Sequence, residues 1–93
     1  MSAIKIERDH KLGSADKAKE LVLSVGEKLE ERYGVTFDWS GYCGKLKGKG
    51  VTGECRLSDE KIEVELKLGL LLRPLARKIE DSIGSAIDRR LQG

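Results

Sequence analysis

Histidine, proline, tryptophan and phenylalanine occur once each in this chain of 93 residues, and cysteine twice. With one histidine and two isolated cysteines, Cys43 and Cys55, the chain has no second Cys or His pair with which to build a zinc site. No apolar run approaches the ~18 residues of a membrane span, and the opening "MSAIKIERDH" lacks the apolar core of a secretory signal. The sequence therefore reads as that of a cytoplasmic protein with reduced thiols. An excess of one charge is also missing. Eighteen basic residues stand against 16 acidic ones, for a net charge of +2, too little field to hold a polyanion, so nucleic acid is not an expected partner. Only two regions are locally basic: Cys43 to Arg56, and the end of the chain with Arg73, Arg77, Lys78, Arg89 and Arg90.

What is present is a mixture of 39% hydrophobic and 37% charged residues, the composition of a globular chain rather than a disordered one. This length gives one core, hence a single domain over residues 1–93. "AIKIERD" alternates Ile4 and Ile6 against charge, the period of a half-buried strand. Ser14 then opens a helix that Gly34 closes, with Ala15, Ala18, Leu21, Val22, Val25, Leu29 and Tyr33 on one apolar stripe.

From Val35 the period becomes two. Val35, Phe37 and Trp39, then Tyr42 and Leu46, then Val51, Cys55 and Leu57, then Ile62, Val64, Leu66 and Leu68 alternate with polar residues. The turns at Ser40-Gly41, Gly48-Lys49-Gly50 and Ser58-Asp59 are of hairpin length, which predicts an antiparallel meander. In this register Cys55 points inward and Cys43 outward, so a disulfide between them is disfavoured. A second helix carries Leu72, Leu75, Ala76, Ile79, Ile83, Ala86 and Ile87 inward, and Pro74 sets its start near Leu72 or Arg73. The expected fold is α+β: a five-stranded antiparallel sheet in the order β-α-β-β-β-β-α, with both helices on one face.

The most apolar stretch, "KLGLLLRPL" at 67 to 75, exceeds what this fold needs. Leu68 ends the last strand and Leu72 begins the helix, but Leu70 lies about 160° from Leu72 and Leu71 on the flank. At least one of the two is expected at the surface.

The runs "HKLG" at 10 to 13, "ERYG" at 31 to 34, Trp39, "GKGVTG" at 48 to 53, "KLGLLLRPL" at 67 to 75 and "KIE" at 78 to 80 resemble, in order and spacing, a small family of polyhydroxyalkanoic acid system proteins. The resemblance covers nearly the whole chain. It implies an association with polyhydroxyalkanoate, the polyester that bacteria store as granules, and a place at the granule surface. It carries over no catalytic residue.

The residues themselves offer few chemical sites. Asp9 and His10 are neighbours in an extended segment and point to opposite sides, so His10 reads as a turn residue bonding the backbone near Gly13 and Ser14 rather than as a general base. A Cys43 and His10 nucleophile pair has nothing in its favour, and Cys43 reads as an inert surface thiol. "GKGVTG" lacks the Walker pattern and lies between strands, where Gly48 and Gly50 shape a hairpin and Gly53 marks a bulge or a close backbone approach. Phe37, Trp39 and Tyr42 read as the bulk of the core in preference to a ligand pocket.

No catalytic residue, cofactor or metal is therefore expected. The leading expectation is a non-enzymatic accessory protein that docks on granules or their coat proteins through Leu70 and Leu71, with Arg73 and Arg77 beside them. A reduced helix-grip module for a lipid or acyl chain is the first alternative. A structural homodimer using the polar sheet face or an edge strand is the second, although a Lys-rich edge near Lys45 to Lys49 would oppose edge pairing.

Overall fold

The computed structural model describes residues 2–92. The alternating Ile4 and Ile6 begin the chain as β1 (Ser2–Asp9), and the helix stripe becomes α1 (Ala15–Tyr33). Ser14 caps α1 in extended backbone, its side chain accepting from the Lys17 N–H, and Gly34 ends it in the left-handed region at φ 66°. The meander follows as β2 (Thr36–Ser40), β3 (Cys43–Gly48), β4 (Val51–Leu57) and β5 (Lys61–Leu68).

All five strands form one sheet in the spatial order β1-β5-β4-β3-β2, every pair antiparallel. Its inner face carries Ile4, Ile6, Leu46, Val51, Cys55, Leu57, Ile62, Val64, Leu66 and Leu68, all buried beneath α1 and the C-terminal helix α2 (Ala76–Leu91). The expected α+β architecture is present.

Several details differ from the sequence expectation. Tyr42 does not join the core; it occupies the β2–β3 turn, 43% exposed, where its hydroxyl donates to the Asp16 carboxylate. That carboxylate raises the phenol's pKa by accepting its proton in a hydrogen bond and by its negative charge. Phe37 and Trp39 are not the bulk of the core either. They stack at its margin, ring centroids 6.0 Å apart, while the largest fully buried side chains are Ile62, Leu66, Ile87 and Cys55. Two glycines make the room: a Cβ on Gly44 would lie 2.9 Å from the Trp39 ring, and one on Gly26 would lie 3.1 Å from Phe37. Tyr33, last on the α1 stripe, is exposed.

The regular second helix begins later than Leu72 or Arg73. Leu70–Leu75 form a 3-10 turn containing Pro74, and α-helical geometry starts at Ala76. Pro74 has no N–H to donate to the preceding turn, so the chain tightens there to three residues per turn. Leu75 is consequently 44% exposed instead of buried. The lysines near Lys45 to Lys49 do not guard an edge, because β3 lies between β4 and β2; the edges are β1 and β2. Gly53 marks a close approach and not a bulge, since the pairing of β4 with β5 continues through Gly53↔Leu66 without a slip.

Cys43 and Cys55 are both free thiols, and lie on opposite faces as the alternation requires. Cys43 pairs with Arg56 on the outer face, while Cys55 is buried opposite Gly44.

Candidate functional site

The leucine corner is built where β5 gives way to α2. Gly69 leaves the sheet in extended backbone, φ −71° and ψ 172°, and its N–H donates to the Gly50 carbonyl at 2.7 Å. Gly50 is the left-handed residue of the β3–β4 hairpin, φ 76°, and the Leu72 side chain packs over it. Leu72 N–H then donates to the Gly69 carbonyl at 3.1 Å, closing the first 3-10 turn. The two motifs "GKGVTG" and "KLGLLLRPL" are thus one structural unit, the hairpin serving as the seat of the corner. Nothing in the sequence spacing signals that contact.

Leu72 is spent on this anchorage, and its two predecessors are not. Leu70 is 76% exposed and Leu71 92% exposed, the highest values of any large apolar side chain among the described residues. Arg73 shares their turn and Arg77 follows on the first turn of α2, both exposed. All four candidate docking residues therefore lie together on one end of the sandwich. The structure adds Leu75 and Lys49 to that neighbourhood. Both line a small apolar cavity under the corner.

That cavity has a volume of about 100 Å³ and is walled by Val35, Leu46, Leu66, Leu72, Ile79 and Ile83. Pockets for drug-sized ligands occupy roughly 300 to 1,000 Å³, and an engineered cavity of about 150 Å³ accommodates benzene. The space suits neither a lipid nor an acyl chain. Two larger concavities are open surface grooves bordered by charged side chains. One, of about 490 Å³, runs over the outer sheet face past Lys45, Lys47, Glu54, Glu65 and Lys67; the other, of about 630 Å³, lies between the helices beside Lys28, Arg32, Arg89 and Arg90. On the outer face Arg56 holds Glu54 and Glu63 at 3.3 Å and Glu65 at 3.7 Å, and its pKa is raised, chiefly by the hydrogen bond to Glu63. Exposed ion pairs of this kind add little stability.

His10 is a structural staple. The Leu12 N–H donates to Nδ1 at 3.2 Å, which leaves Nε2 to carry the proton and donate to the Ser58 carbonyl at 2.8 Å. Both ring nitrogens are engaged, and the ring is buried. The expected backbone partner near Gly13 is Leu12, and the second bond ties the start of α1 to the β4–β5 turn. Asp59 of that turn adds a bond, accepting from the Ala15 N–H at 2.9 Å. Cys43 sits on β3 with its side chain on the outer face, whereas the buried ring of His10 has both nitrogens committed to Leu12 and Ser58. A His10–Cys43 pair is not assembled. His10→Ala should cost about 1 to 3 kcal/mol, because it strands the Leu12 N–H and the Ser58 carbonyl. Urea unfolding should show a lower midpoint with an unchanged slope.

The described residues contain no group of three or more His, Cys, Asp or Glu placed to hold a metal, and no helix long and apolar enough to cross a membrane. Comparison with the curated proteins and with the solved structures finds no match in either. The model of one protein family, described as "Putative polyhydroxyalkanoic acid system protein", matches residues 4–91. The match takes in both motifs of the corner and both core helices, and the chain belongs to that polyhydroxyalkanoic acid system family.

Proposed function

We propose that the protein is a non-catalytic accessory component of polyhydroxyalkanoate storage, docking on the polyester granule surface through Leu70 and Leu71. The observation that carries this reading is the exposure of two adjacent leucines on a turn fixed to the sheet by the Gly69–Gly50 bond. Such a turn holds its side chains out in a set geometry, so the apolar surface cannot fold back onto the core. Arg73 and Arg77 beside it suit an anionic granule coat. Family membership supplies the polyester setting.

The magnitude shapes the mechanism. Burying two leucines yields at most ~6 kcal/mol before association costs of ~4 kcal/mol or more are subtracted. One copy binds weakly, and lasting residence on a granule comes from several copies engaging one surface.

The test is co-sedimentation of the purified protein with protein-free polyhydroxyalkanoate particles, with Leu70→Asp and Leu71→Asp alongside and circular dichroism on each. The parent protein is expected in the pellet, and each variant should lose about tenfold or more in affinity while its spectrum stays unchanged. Undiminished binding by both variants would eliminate the corner as the docking site. A parent protein that stays in the supernatant would show that contact with the polyester is not direct.

A further inference from the structure

β1 is an eight-residue strand at the edge of the sheet, and its outward side has no partner strand among the described residues. The direction of its backbone groups follows from one bond. His10 N–H donates to the Glu60 carbonyl at 2.8 Å, continuing the register in which Asp9 stands opposite Lys61. In an antiparallel ladder each residue sends its N–H and C=O to the same side, alternating along the strand. Ile4, Ile6 and Arg8 therefore face β5, whereas Ala3, Lys5, Glu7 and Asp9 present theirs to the open edge. A further contact is consistent with this: the Glu7 carbonyl accepts from Arg8 Nη1 at 3.0 Å.

A charged edge normally repels other strands. Here the charges select one. If two copies of β1 pair antiparallel about a two-fold axis, their outward-facing residues must stand opposite one another, so allowed registers shift in steps. Centring the axis on Lys5 sets Lys5 against its own copy, and centring it on Glu7 sets Glu7 against its own copy at the axis, although it also places Lys5 against Asp9 twice; each of these registers carries a like-charged pair at its centre. Centring it on Ile6 sets Lys5 against Glu7 twice and Ala3 against Asp9 on the outer face, with Ile6 against Ile6 on the inner face. Opposite charges in directly facing positions are stabilising and like charges destabilising. Across its own sheet Glu7 stands opposite Glu63, and it already holds Lys5 of its own strand at 3.5 Å; the second copy's Lys5 adds a further cation.

The other edge offers no equivalent. The Leu57 N–H donates to the Tyr42 carbonyl, so Cys43, Lys45 and Lys47 of β3 face β2, and in β2 only Phe37 and Trp39 point outward. The self-pairing that uses both would put Asp38 opposite Asp38.

We infer that the protein associates with a second copy of itself through β1, the axis passing at Ile6 and Lys5 of each copy facing Glu7 of the other, to give a continuous ten-stranded sheet. The axis stands perpendicular to the sheet, so both helical layers lie on the same side. Arg8 shares the Glu7 carbonyl, which has two lone pairs, with the incoming N–H.

Sedimentation velocity at low salt over a concentration series tests this with Glu7→Lys and Lys5→Glu, both at exposed positions. The parent chain should be a dimer, and each variant should weaken dimerisation about tenfold or more, since both facing pairs become like-charged. Mixed one to one, the two variants should dimerise with each other, because one chain presents two lysines and the other two glutamates. A parent that is monomeric throughout overturns the inference, as does a dimer indifferent to both variants, or a mixture that associates no better than its components. Leu70→Asp should dimerise like the parent, which separates this interface from the leucine corner.

Discussion

Gly53→Ala should remove about 3 kcal/mol or more of folding free energy, a large share of the ~5 to 15 kcal/mol that holds a domain together. The backbone conformation at Gly53 is not left-handed, so the cost is steric. A Cβ there would lie 2.3 Å from the Glu65 carbonyl oxygen, 2.7 Å from the Leu66 side chain and 3.1 Å from Leu66 Cα. The first and last of these are main-chain atoms of β5, which cannot rotate away, so relief requires moving β4 from β5 at the middle of the sheet. Gly50→Ala provides the contrast. Gly50 has φ 76°, but its Cβ would meet only the Leu72 side chain, at 3.4 Å. Its cost is the left-handed penalty of about 1 to 2 kcal/mol. Thermal unfolding should place Gly53→Ala well below Gly50→Ala, with a fall of about 12 °C or more from the parent. Equal melting temperatures would contradict a tight β4–β5 contact.

Raising the pH from about 9 to about 12 should cost up to roughly 4 kcal/mol of stability through one residue, Cys55. Its thiol is fully buried, and burial pushes its pKa from 9.0 to about 12; a negative charge on Cys43 would add to the rise and Arg56 opposes it. The unfolded chain releases this proton near pH 9 while the folded chain keeps it. Over that window the folded state binds more protons than the unfolded, so stability is intact below pH 9 and falls by about 1.4 kcal/mol per pH unit above it. Cys55→Ala should flatten that component of the decline. The measurement is urea unfolding of parent and variant across the window; parallel pH profiles would show that Cys55 is not the cause. At neutral pH a thiol reagent should modify the half-exposed Cys43 of the folded protein and reach Cys55 only after unfolding.

Both predictions concern the inner face of one sheet, which was legible in the sequence because a strand's side chains alternate with period two. That period assigned Cys55 to the interior, Cys43 to the exterior and Ile62, Val64, Leu66 and Leu68 to the core, and the sheet obeys it. Caps were equally legible: Ser14 and Gly34 are local devices, and their chemistry acts within a turn of where they stand. That at least one of Leu70 and Leu71 would be exposed also followed from the sequence, as an apolar excess that neither the strand nor the helix period could absorb; the structure exposes both.

The failures arose where distant segments compete for the same space. Tyr42 has the right parity for the core, but it falls in the turn, and an acidic partner on α1 holds its hydroxyl outside. Phe37 and Trp39 looked like the core because they are large; packing put aliphatic side chains at the centre and the rings at the margin, over Gly26 and Gly44. Lys45 to Lys49 looked like an edge because strand order is not visible in a meander whose first strand returns to pair with its last. Sequence periodicity determined which face of each element is apolar, since that depends only on local backbone geometry. Which strands form the edges, and that the Gly50 hairpin seats the leucine corner, only the tertiary structure decided, because both depend on contacts between residues far apart in the chain.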